Sequence, residues 1–78
     1  MTGEAFRDEL RKQPFRPFLV KTTDGDTFRV DNRDFAMISP HQTEVIIYDK
    51  DNHYRVVALP QIVSLEPARN GSKKPGRR

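Results

Sequence analysis

Phe18-Leu19-Val20-Lys21-Thr22-Thr23-Asp24-Gly25-Asp26-Thr27-Phe28-Arg29-Val30 is the stretch that decides the fold. Phe18, Val20 and Thr22 alternate before Asp24-Gly25, and Phe28 and Val30 alternate after it, the period of two expected of half-buried strands. The stretch therefore reads as a hairpin, and its register can be argued. A two-residue Asp24-Gly25 turn would set Val20 opposite Arg29 and Lys21 opposite Phe28, mixing apolar and polar faces. A three-residue Thr23-Asp24-Gly25 loop, with Gly25 left-handed as a G1 bulge, instead sets Val20 opposite Phe28 and Phe18 opposite Val30. The three-residue loop is the one expected.

Upstream, residues 3 to about 13 read as a helix. Thr2 can N-cap it, Met1 and Phe6 occupy hydrophobic-staple positions, and Phe6 and Leu10 share one face. Glu4, Asp8 and Glu9 suit its positive end, Arg11 and Lys12 suit its negative end, and Pro14 stops it. Pro14-Phe15-Arg16-Pro17-Phe18 is then an elbow into the first strand, with a Pro-x-x-Pro ligand in polyproline II form as the functional alternative.

Downstream, Asp31-Asn32-Arg33-Asp34 is turn-like and Phe35-Ala36-Met37-Ile38 suits a brief third strand before Ser39-Pro40. Glu44-Val45-Ile46-Ile47-Tyr48 is β-branched and nearly all apolar, the pattern of a central strand covered on both sides. Asp49-Lys50-Asp51-Asn52-His53 turns the chain into Tyr54-Arg55-Val56-Val57-Ala58 as a partner strand. Leu59-Pro60-Gln61 breaks that strand as a single 3₁₀ turn before a last strand, Ile62-Val63-Ser64-Leu65-Glu66. The fold class is mainly β with one N-terminal helix (α+β). Five to six short strands between about residues 17 and 66 are expected to form a small, strongly bent antiparallel sheet or an SH3/Sm-like barrel. Residues 1–66 make a single domain, and residues 67–78 a disordered basic tail with nothing apolar to bury after Ala68.

The chain has 78 residues, a size at which folding buries only about 60% of the unfolded chain's surface. It contains no cysteine, which excludes disulfides, thiolate-held zinc and thiol chemistry. No apolar run approaches the roughly 20 residues that span a bilayer, and the first residues show no signal-peptide pattern, so a cytoplasmic protein without membrane contact is expected. Net charge is +3, yet Arg69, Lys73, Lys74, Arg77 and Arg78 lie in residues 67–78 with no acid among them, which leaves residues 1–66 at −2. The basic character is a short tail and not a face built for phosphate.

Catalytic chemistry finds no home. His41 and His53 sit on separate loops, too few to ligate a metal with the partners at hand. The loop from Asp49 begins like a calcium loop but places Tyr54 where glycine is needed and Pro60 where a bidentate glutamate should close the shell. Ser39, Ser64 and Ser72 have no placed base, and the glycines form neither a P-loop nor a dinucleotide fingerprint. No enzyme, cofactor or metal is expected.

Gln13-Pro14-Phe15-Arg16-Pro17-Phe18, Thr23-Asp24-Gly25 and Val63-Ser64-Leu65-Glu66-Pro67 resemble a group of small uncharacterised bacterial proteins, over most of residues 4–67. That resemblance implies a compact bacterial domain and carries over no functional residue. The layout of helix, strand, Asp-Gly turn, bent sheet and final 3₁₀ turn plus strand is also similar to Sm-like and SH3-like barrels. Where Sm-like proteins carry an RNA-contacting Arg-Gly or comparable segment before the last strand, this chain has Leu59-Pro60-Gln61.

The function expected is a non-enzymatic binding or assembly module for a protein partner or a second copy, through strand edges or through Phe15, Arg16 and Phe18. The alternative is weak nucleic-acid association through Lys73, Lys74, Arg77 and Arg78, with Arg16, Lys21, Arg29 and Arg33 as cations on the sheet.

Overall fold

The computed structural model describes residues 1–68. It contains one helix, α1 (Gly3–Leu10), and six strands: β1 (Phe18–Thr22), β2 (Thr27–Val30), β3 (Ala36–Ile38), β4 (Glu44–Tyr48), β5 (Tyr54–Ala58) and β6 (Ile62–Pro67). Two 3₁₀ turns, Arg33–Phe35 and Leu59–Gln61, precede β3 and β6. The strands form two three-stranded antiparallel sheets, ordered β2-β1-β6 and β3-β4-β5. The expectation of one bent sheet or a closed SH3/Sm-like barrel is corrected: among the described residues no strand ladder joins one sheet to the other.

The hairpin forms in the register argued from alternation, with Phe18 opposite Val30 and Val20 opposite Phe28. Thr22 N–H donates to Asp26 O (3.0 Å) and Gly25 N–H to Thr22 O (3.0 Å), which closes a three-residue loop. Gly25 takes φ +87°, a conformation that a Cβ would strain. The last strand returns to pair β1 on its other edge, with a bulge where Val63 is skipped and left exposed. It runs one residue past its expected end, since Pro67 pairs with Phe18 and Ala68 N–H donates to Pro17 O (3.0 Å). The rest of the expected basic tail lies outside the described residues.

Inward residues of both sheets meet in one core: Phe18, Val20, Val30 and Ile62 from the first, Ala36, Val45, Ile47 and Val57 from the second. Leu59, in the 3₁₀ turn that leads from β5 to β6, joins them. Helix α1 covers one end of this core with Phe6 and Leu10, and the Phe6 ring meets Phe18 edge-on at 5.8 Å between centroids. As expected, Thr2 caps the helix, its Oγ1 accepting from Ala5 N–H at 3.1 Å.

The helix ends at Leu10, about a turn before its expected end near residue 13. Pro14 has no N–H to offer the Leu10 carbonyl, so one more helical hydrogen bond cannot form there. That carbonyl is taken instead by Arg33 Nε at 2.7 Å, while Arg33 Nη2 reaches Lys12 O at 2.8 Å. The Arg33 guanidinium also lies 5.5 Å from the Phe15 ring centroid. One side chain thus ties the helix end, the elbow and the turn before β3 together.

Candidate interaction surface

The central strand β4 departs from its expected surroundings. Val45 and Ile47 point into the core and are buried, but Glu44, Ile46 and Tyr48 on its other side are only half-covered. The strand is central within its sheet, and among the described residues only its inner face is fully covered. Its register with its neighbours assembles the other face. Met37 of β3, Ile46 of β4 and Val56 of β5 lie in one row across the sheet. Tyr48 and Tyr54 pair on one side of that row, their rings 5.6 Å apart, and Glu44 and Ala58 pair on the other. Met37 is 50% exposed, Val56 59% and Tyr54 60%, all on the two edge strands that flank β4. Beside the tyrosine end lies a shallow hollow of about 450 Å³, lined by Phe35, Met37 and Tyr48 and rimmed by Asp34, Asp49 and Lys50.

The outer face of the β2-β1-β6 sheet is mostly polar by contrast, Val63 at the bulge being 60% exposed. Lys21 Nζ pairs with Glu66 at 3.4 Å, Ser64 Oγ donates to Glu66 Oε2 at 3.1 Å, and Arg29 pairs with Asp31. Leu19 lies half-buried between Arg29 and Glu66.

The two sheets splay apart where β2 approaches the far end of β4 and β5. A groove of about 570 Å³ opens there, with Phe28 and Ile47 among its apolar walls and Arg29, Asp31, Asp49 and Arg55 among its polar ones. Arg55 crosses the groove and lies 5.3 Å from the Phe28 ring centroid. Both signs of charge are interleaved along it, so it favours no single class of small ligand.

The residues singled out from sequence are not gathered into one site. Phe18 is fully buried, which removes it as a partner contact; its reason for being apolar is the core. Phe15 is half-buried, its ring tilted 6.1 Å from Phe18 and covered by Arg33, and of that group Arg16 alone is exposed. Of the cations proposed for phosphate on the sheet, Lys21 and Arg29 face acidic partners and Arg33 is spent on backbone carbonyls. Lys73, Lys74, Arg77 and Arg78 lie outside the described residues. In the β4–β5 turn, ligand atoms of Asp49, Asp51 and His53 lie within 4.8 Å of one another, all three residues exposed. Asp49 Oδ1 accepts from Asp51 N–H (2.8 Å) and His53 N–H (3.0 Å), so this carboxylate shapes the turn while Asn52 takes φ +68°.

Sequence reasoning found the strands of the apolar face but not the face. Met37, Ile46 and Val56 become neighbours only once the β3-β4-β5 register is known. The available signal was the run Val45-Ile46-Ile47, too apolar for a strand with one wet side. No described helix is long and apolar enough to cross a membrane. Comparison with protein-family models, curated proteins and solved structures finds no match to this chain.

Proposed function

We propose that this chain is a small non-enzymatic protein-binding module, and that its binding surface is the outer face of the β3-β4-β5 sheet. One observation carries the reading. A strand whose sequence suits burial on both sides is fully covered by the described residues on one side only, and the half-covered Ile46 on its other side continues into the exposed Met37 and Val56 on its two neighbours. Contiguous apolar surface of this kind marks interaction sites in soluble proteins. Methionine and tyrosine are enriched in interfaces, and the tyrosine pair offers large, stiff rings with a polar tip. The reading moves the contact from the Phe15 region to a surface that the fold leaves open.

Photocrosslinking tests it. A benzophenone amino acid replaces Val56 in one variant and Lys21 in another, at outward positions on the two sheets. Irradiation in cells is expected to yield discrete protein adducts from position 56 and none of comparable yield from position 21. Equal yields from both positions, or none from either, would overturn the reading.

A further inference from the structure

We infer that the partner seated on this face is a second copy of the same chain, packed face to face about a two-fold axis that runs across the strands through the Met37-Ile46-Val56 row. The inference rests on the surface reading above and names its occupant.

The face is complementary to itself in this one arrangement. A two-fold axis in the plane of the sheet and perpendicular to β4 sets each residue of the middle row against its own copy: Met37 on Met37, Ile46 on Ile46, Val56 on Val56. The same rotation exchanges the two ends. Tyr48 then lies over Glu44 of the other copy, a phenol donor over a carboxylate acceptor. Tyr54 lies over Ala58, the largest side chain of the face over the smallest. Both matches occur twice, once at each end.

The surroundings fit as well. Ser39 N–H donates to Glu44 O (2.9 Å), which fixes the Ser39–Thr43 turn beside the Glu44 end. Under the same rotation that turn projects toward the hollow lined by Phe35, Met37 and Tyr48, whose rim carries both acids, Asp34 and Asp49, and the cation Lys50. Turning one copy about an axis parallel to β4 would instead stack Glu44 on Glu44 and tyrosine on tyrosine, a like-charge contact with no size match. Among face-to-face pairings, the match of phenol to carboxylate and of large to small side chain selects the crosswise axis.

The interface is small. Three strands about 4.8 Å apart and about 17 Å long fall short of the roughly 800 Å² per partner that stable complexes bury. The dimer is therefore reversible, with half-dissociation expected at roughly 10 to 1,000 μM.

Sedimentation equilibrium of the full chain across that range tests the inference, using Val56→Lys, Val56→Glu and their equimolar mixture beside the unmodified protein. Because Val56 meets its own copy, each variant alone places like charges in contact and is expected to weaken self-association by at least tenfold. The mixture places opposite charges in contact and is expected to recover dimer that neither variant forms alone. Circular dichroism melts of the two variants, expected to match the unmodified chain, exclude unfolding as the cause. A monomer at 1 mM, a variant that dimerises as well as the unmodified protein, or a mixture no better than its components would each overturn the inference. Adducts at position 56 that contain only a different protein would leave the surface reading standing and remove the second copy.

Discussion

On the outer face of the β2-β1-β6 sheet, Lys21, Ser64 and Glu66 satisfy one another and Arg29 pairs with Asp31, so each charged group there has a partner in its own chain. On the outer face of the β3-β4-β5 sheet, Met37, Ile46, Tyr48, Tyr54 and Val56 lie side by side, with Glu44 and Ala58 completing the face. Both sheets have three strands, both lend their inner faces to the same core, and both leave their outer faces uncovered by the helix. Demand for a core cannot explain the difference, because neither outer face contributes to it. A face that must only meet water tolerates lysine, arginine and glutamate, whereas apolar residues kept in water add an association hazard and little stability. Both sheets hold the fold through their inner faces, and the proposed binding role concerns the outer face of the second alone.

Substitutions should separate those roles, and the largest effect belongs to the inner face of the first sheet. Phe18→Ala removes a fully buried ring that touches Phe6 and Phe15, and should lower stability by about 3–5 kcal/mol. The midpoint of urea unfolding reads this. A loss below about 1 kcal/mol would mean that the first sheet is not what anchors the core. Next comes Arg33→Ala, which leaves the part-buried Leu10 carbonyl unpaired, gives the exposed Lys12 carbonyl to water and uncovers Phe15, with an expected loss of about 1–2 kcal/mol. Arg33→Lys should recover less than half of it, because an ammonium cannot reproduce a planar fork that spans two carbonyls and an aromatic ring.

How much of this was legible in the sequence follows the range of the interaction concerned. The hairpin register could be read because alternation and a left-handed Gly25 sit within a few residues and agree. The cap at Thr2 and the 3₁₀ turn at Leu59–Gln61 are local in the same way. Arg33 could not be read, since its acceptors lie 23 and 21 residues away and any arginine in a polar turn looks solvated. The helix stops about a turn short of Pro14 for the same reason: Pro14 marks a boundary, but which carbonyl it orphans and what satisfies that carbonyl are tertiary facts. The apolar strand β4 was legible as apolar. Its sequence says that both sides want cover and does not say which molecule supplies it.

The turn that joins β1 to β2 offers a smaller test confined to the first sheet. Adding a Cβ at Gly25 meets no other atom within 4 Å, so Gly25→Ala isolates the backbone term of φ +87°. A loss of about 1 kcal/mol by urea unfolding is expected, with self-association per folded molecule unchanged. A loss of self-association in a chain that stays folded would show that the sheets are coupled and the division of roles too sharp.

The smallest effect concerns the outer faces themselves. Lys21 and Glu66 form an exposed ion pair, their side chains 42% and 45% accessible, so a double-mutant cycle with alanine at both positions should give a coupling of at most about 0.5 kcal/mol, fading in high salt. Val56→Lys on the other sheet should also leave unfolding free energy within about 0.5 kcal/mol, because Val56 is already exposed to solvent. By stability alone the two outer faces are then indistinguishable. They part only in association: the Lys21 and Glu66 variants should dimerise as the unmodified chain does, and Val56→Lys should not. A Lys21→Ala chain that loses its dimer would put the second copy on the wrong sheet. If both faces prove silent in association as well as stability, the exposed Met37, Tyr54 and Val56 seat no second copy and the inferred dimer falls.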